Sequence, residues 1–105
     1  MLIHIVAKYK VRRDAVDKCF RAVQELVEHV RKNEPKTLFY LANQEVLDPT
    51  QFLHIIVFED EMGLKVHQNS PASARFVETV YPEAIKPPEF MEYNILASKT
   101  ENWRS

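Results

Sequence analysis

The sequence is poor in several things at once, and each shortage removes a class of function. One cysteine, Cys19, among 105 residues excludes an internal disulfide and fits a reducing compartment. A formal net charge of −1 gives no reason to expect a nucleic acid, an anionic membrane surface or an acidic substrate as partner. No apolar run approaches the roughly 20 residues of a membrane span. The N-terminus enters Leu2-Ile3-His4-Ile5-Val6 directly, without a cleavage-site pattern, so no signal peptide is expected. There is no internal repeat and no low-complexity segment. The four histidines have no metal-ligand spacing, and no carboxylate completes a triad with them in sequence, so no metal is expected.

What is present suits one soluble, cytoplasmic domain with a real core: 46% apolar and 28% charged residues. Leu2 to Val11 is rich in branched and aromatic residues and reads as a strand. Asp14 then stands as a helix cap, and Val16, Phe20, Val23, Val27 and Val30 recur at helical steps, widened by Cys19 and Leu26. Asn33-Glu34-Pro35-Lys36 stops that helix, because proline cannot continue the ladder and restricts the residue before it. Thr37 to Val46 and Gln51 to Glu59 read as an antiparallel hairpin joined at Asp48-Pro49-Thr50. Asp60 caps a short helix ending near Asn69, and Ser70-Pro71 opens another that carries Phe76, Val77, Val80 and Tyr81.

Lys86-Pro87-Pro88 is a linker and Glu89 to Ala97 a last strand, which gives a domain over 1–98 and a polar tail over 99–105. The tail is expected to be loose unless Trp103 docks. The order β-α-β-β-α(α)-β predicts an α+β, ferredoxin-like βαββαβ fold with an antiparallel four-stranded sheet. RNA-recognition sheets share that order. They need a basic surface and an aromatic-glycine motif on the third strand, whereas this chain is mildly acidic with a single glycine, Gly63.

The strands are apolar on both faces. In the first, Ile3, Ile5 and Tyr9 oppose Leu2 and Val6; in the third, Phe52, Ile56 and Phe58 oppose Leu53, Ile55 and Val57; in the fourth, Phe90 and Leu96 oppose Met91, Tyr93 and Ile95. Helices cover one face of such a sheet. The other face predicts a homodimer packed sheet on sheet, the alternative being cover by tail and loops.

From Leu2 to Ala97 the chain resembles the antibiotic biosynthesis monooxygenase family of small dimeric α+β barrel proteins. The residues that carry the resemblance are Val6-Ala7-Lys8-Tyr9-Lys10-Val11, Glu34-Pro35, Asp48-Pro49, Phe52, Glu59-Asp60, His67, Ser70-Pro71 and Phe76. The resemblance implies oxidation of a small aromatic, polyphenolic or quinol-like substrate by dioxygen, often with no metal, flavin or haem cofactor. Such chemistry needs a base of near-neutral pKa, aromatic walls and few charges. His67 is then the candidate catalytic base, with Tyr40, Phe58, Phe76 and Tyr81 as substrate-binding walls and Arg75 to orient an anionic oxygen. Two departures stand out: Lys36 replaces a family glycine, and Ile56 replaces a strand-three glutamate two residues before the aromatic at Phe58.

Each candidate has a plainer reading. His67 is otherwise a partly buried structural histidine, and Phe76 and Tyr81 are a helix face packed on the sheet. Arg75 is otherwise a solvated arginine, and Glu59-Asp60-Glu61 complements a helix dipole. His54 reads as structural or at a subunit seam, His29 as an exposed helical residue, and Cys19 as core filler. Haem-degrading relatives of the same fold are disfavoured, because alignment on Ser70 places Val77 where their ligating histidine would lie. A non-catalytic ligand-binding or sensing dimer, or a relative that isomerises or degrades a small metabolite, is the alternative.

Overall fold

A computed structural model describes residues 1–100 of the chain. Trp103 and the end of the polar tail lie outside the described residues. The elements are β1 (Ile3–Lys10), α1 (Val16–Asn33), β2 (Thr37–Gln44), β3 (Gln51–Phe58), α2 (Glu61–Gln68), α3 (Pro71–Val80) and β4 (Glu89–Tyr93). The four strands form one antiparallel sheet in the order β2-β3-β1-β4, so the ferredoxin-like reading of the sequence holds.

Register assigns the faces. Ile3, Ile5, Ala7 and Tyr9 of β1 lie opposite Phe58, Ile56, His54 and Phe52 of β3, and this set meets the helices. On β2 the register shifts between Thr37 and Phe39, where Leu38 is the additional residue. That bulge brings Thr37 and Tyr40 to the helix side and sends Phe39 and Leu41 to the other. Phe90 of β4 pairs with Ala7 and so also belongs to the helix side.

Three expectations about the elements are corrected. Asp14 does not cap α1: it sits in a short 3-10 turn (Arg13–Ala15), Ala15 is the N-cap, and the Asp14 carboxylate lies 3.5 Å from Arg12 Nε. Phe20 is 47% exposed, because the buried face of α1 runs through Cys19, Ala22, Val23, Leu26 and Val30. The small residues Cys19 and Ala22 let the helix approach the sheet, which turns the face away from Phe20. Finally, β4 ends at Tyr93, and Leu96 beyond it is exposed.

The other two predicted caps form as expected. Asp60 Oδ1 accepts the Gly63 amide at 3.0 Å, and Ser70 Oγ accepts the Ser73 amide at 3.0 Å. Lys36 Nζ binds Asp60 Oδ2 at 2.9 Å and holds that carboxyl below its usual range. A Cβ built on Gly63 would lie 2.9 Å from both the Lys36 carbonyl oxygen and Lys36 Cβ. The single glycine of the chain therefore marks the closest approach of α2 to the segment after α1. No helix among the described residues is long and apolar enough to cross a membrane.

Candidate active site

Between the helix-facing side of the sheet and α2 and α3 lies a pocket of about 220 Å³. Its floor is Ala7, Tyr9, Tyr40, His54 and Ile56; its walls include Leu26, His67, Ser73, Phe76 and Tyr81, with Phe90 at the β4 side. Two polar constellations break this otherwise apolar lining.

The first is built on the end of α1. Glu34 follows the last helical residue, and Pro35 forces it out of helical conformation (φ −124°, ψ 78°). Its carboxylate is buried, with 2% of the side chain exposed, and Oε1 lies 2.9 Å from His67 Nδ1. Thr37 Oγ1 donates to the same oxygen at 2.8 Å, so Oε1 acts as an acceptor and Nδ1 carries the ring proton. His67 Nε2, which makes no hydrogen bond among the described residues, is left as the basic nitrogen of a side chain that lines the pocket. Among the described residues Glu34 Oε2 makes no hydrogen bond, and it lies 3.5 Å from His29 Nε2.

The backbone of His67 is equally constrained. Ser73 Oγ donates to its carbonyl at 2.6 Å, and Ser70 Oγ lies 3.0 Å from the same oxygen. The Ser-Pro signal that opens α3 thus also fixes the last turn of α2, where His67 sits. Behind the imidazole, Phe58 packs with ring centroids 5.5 Å apart.

The second constellation is a Tyr-His-Tyr bridge. His54, 2% exposed, meets the Tyr9 hydroxyl at Nε2 (2.8 Å) and the Tyr40 hydroxyl at Nδ1 (2.7 Å). Burial, reinforced by the charge of His67, lowers the His54 pKa from 6.5 to about 4, so the ring is neutral at physiological pH. Burial raises both tyrosines far above the usual phenol range, Tyr40 further through the Glu34 carboxylate. The bridge therefore offers hydrogen bonds rather than charge. His67, with its carboxylate partner, is the candidate base of the pocket.

Residues 2–79 match the model of the family described as antibiotic biosynthesis monooxygenase. The chain belongs to that family. It is similar in fold to a crystal structure of an antibiotic biosynthesis monooxygenase, with 22% identity, a TM-score of 0.84, and coverage of 90% of this chain and 99% of that one. A conserved protein of Methanosarcina mazei Go1 gives 22% identity and a TM-score of 0.80, covering 89% of this chain and 91% of that one. Rv0793 of Mycobacterium tuberculosis gives 14% identity and a TM-score of 0.85, covering 95% and 100%. No curated protein matches the sequence. At these identities the structural likeness speaks for the fold.

Of the residues singled out from the sequence of this antibiotic biosynthesis monooxygenase family member, His67, Tyr40, Phe76 and Tyr81 come together in the pocket. Phe58 does not line it: fully buried, it supports His67 from behind. Arg75 lies elsewhere, in a groove between α1 and α3 with Glu25 and Glu78. No residue of the pocket is charged apart from His67 when protonated. Three residues were missed. His54 is a central polar group, Tyr9 is its partner, and buried Glu34 orients His67. His29 is half-buried beside Glu34 rather than an exposed helical residue.

Proposed function

We propose that this family member is a cofactor-independent monooxygenase that oxidises a small aromatic, polyphenolic or quinol-like substrate with dioxygen. The observation that carries the reading is the Glu34-His67 pair at an aromatic pocket whose other polar groups are neutral. His67 Nε2 takes a proton from a hydroxyl, or from a ring carbon beside a carbonyl, and the imidazolium formed is stabilised by Glu34. The resulting electron-rich anion gives one electron to dioxygen, and the substrate radical and superoxide combine to a peroxide. Cleavage of the O–O bond, with protonation by His67, leaves a carbonyl on the substrate and releases water. A methylene carbon oxidised to a carbonyl, or a phenol's O–H and ring C–H oxidised to a quinone, supplies the four electrons this requires, so the balance closes without an external reductant. The family match and the monooxygenase among its structural relatives support this class of reaction.

Oxygen uptake with a panel of hydroquinones and anthrones tests it. Wild-type protein is expected to turn over at least one of them, and His67→Ala to lose roughly 10²- to 10⁴-fold in rate. No turnover on any member, or equal turnover by the variant, would sink the catalytic claim and leave a ligand-binding role.

Two copies of the chain are proposed to pair through the uncovered sheet face. Phe39, Leu41, Ile55, Met91 and Tyr93 lie on that side, with Leu41 45% and Tyr93 49% exposed. Isologous pairing buries such a surface on both partners at once. Sedimentation at micromolar concentration is expected to give the mass of two chains; a monomer would count against it.

A further inference from the structure

The Tyr9-His54-Tyr40 bridge holds an odd number of protons. Neutral His54 carries one N–H and each tyrosine one O–H, three in all. The trio makes two hydrogen bonds, and each uses one proton. One hydroxyl proton is therefore always left over. Among the described residues neither hydroxyl has another hydrogen-bond acceptor.

The surroundings decide which hydroxyl keeps it. Tyr9 is 6% exposed, stacked on Phe52 and met edge-on by Phe76. Tyr40 is less buried and lies next to His67, with ring centroids 5.8 Å apart. Both rings line the pocket, and the more exposed one, beside His67, is the better placed to meet a ligand atom, so the leftover proton is assigned to Tyr40. Tyr9 then donates into His54 Nε2, and His54 Nδ1–H donates to the Tyr40 oxygen.

We infer that the Tyr40 hydroxyl is the substrate's oxyanion donor, taking a carbonyl or phenolate oxygen of an aromatic ligand, and that His54 is a positioning residue that frees its proton. This rests on the pocket being the substrate site, as proposed above. It adds a role for Tyr40 beyond that of a wall. When His67 removes a proton from the substrate, negative charge grows on the conjugated oxygen, and a fixed O–H aimed at that oxygen stabilises the charge as it develops. The ligand must therefore carry an accepting oxygen conjugated to the position His67 deprotonates. An aromatic hydrocarbon of the same shape lacks it.

The probe is 1-indanone, an inert aromatic ketone, set against indane, its oxygen-free counterpart. The wild type is expected to bind indanone on the order of 10-fold or more tighter than indane, since a site built to hydrogen-bond an oxygen rejects the analogue without it. The infrared carbonyl stretch of bound indanone is expected to fall below its value in a non-hydrogen-bonding solvent. Tyr40→Phe, which deletes one oxygen, should lose both effects. Nitrogen-15 spectra of wild-type His54 should show Nδ1 protonated and Nε2 bare. Failure of indanone to bind, an unshifted carbonyl, a shift that survives Tyr40→Phe, or the Nε2–H tautomer would each overturn the assignment. A shifted carbonyl in a protein that consumes no oxygen would uphold Tyr40 and remove only the oxidation.

Discussion

Glu34→Leu is expected to slow substrate oxidation on the order of 10²- to 10⁴-fold, about as much as His67→Ala. Among the described residues the carboxylate hydrogen-bonds to no part of the pocket lining except His67, so the loss would come chiefly through the imidazole. Without Oε1 to accept from Nδ1, nothing fixes which ring nitrogen is protonated, and nothing offsets the charge His67 acquires. Glu34→Gln should be much milder. Thr37 Oγ1 donates to the position of Oε1, which favours the amide oxygen there, and the His67 tautomer would be kept. The gap between leucine and glutamine separates loss of orientation from loss of charge. Combining Glu34→Leu with His67→Ala should be no slower than His67→Ala alone, because both remove one unit of function. Additive losses in steady-state oxygen uptake would mean that Glu34 acts by another route.

Why His67 was legible in the sequence and Glu34 was not follows from how each is placed. His67 lies between two strong local signals, the Asp60 cap and the Ser70-Pro71 start, which delimit α2 without reference to the rest of the chain. Glu34 reads locally as part of a helix stop. Yet an acid at the C-terminal end of a helix opposes the dipole, and that local conflict is a signal that it has a partner elsewhere. The partner is 33 residues away. Alternation correctly places His54 on the face of Ile56 and Phe58, but its chemistry depends on Tyr9 and Tyr40, 45 and 14 residues distant.

Those pairings are set by the register of three strands and by the bulge at Leu38, none of which a periodicity count contains. Arg75 illustrates the opposite error. Adjacency to Phe76 in sequence suggests a shared site, but successive helical residues point about 100° apart, and Arg75 lies in the groove between α1 and α3. Ile56 gains a physical reading from the same geometry. With isoleucine there, the polar group on that face of β3 is His54, one pleat along and neutral.

That neutrality should make the protein acid-sensitive in a defined window. Unfolded, His54 takes a proton as pH falls through its ordinary value near 6.5; folded, it resists until about 4. Between those values the unfolded chain binds more protons, so stability rises with pH there and is fully present above about 6.5. On acidification the loss accumulates to the order of 3 kcal/mol by pH 4, at about 1.36 kcal/mol for each pH step crossed. Burial is the larger cause and the His67 charge the smaller.

Denaturant titrations at about pH 7 and about pH 4.5, on either side of most of that window, are the measurement. His54→Gln is the informative comparison, since an amide keeps one donor and one acceptor for the two tyrosines but does not titrate. The variant should be less stable at neutral pH yet show a distinctly shallower fall between pH 6.5 and 4. An unchanged slope would mean that His54 takes its proton in the fold as readily as in the unfolded chain, so that the ring is charged through that window. A protonated ring would donate at both nitrogens, and both tyrosine hydroxyls would then be left with free protons. The single-donor argument for Tyr40 and the acid stability of the domain therefore stand or fall on the same imidazole.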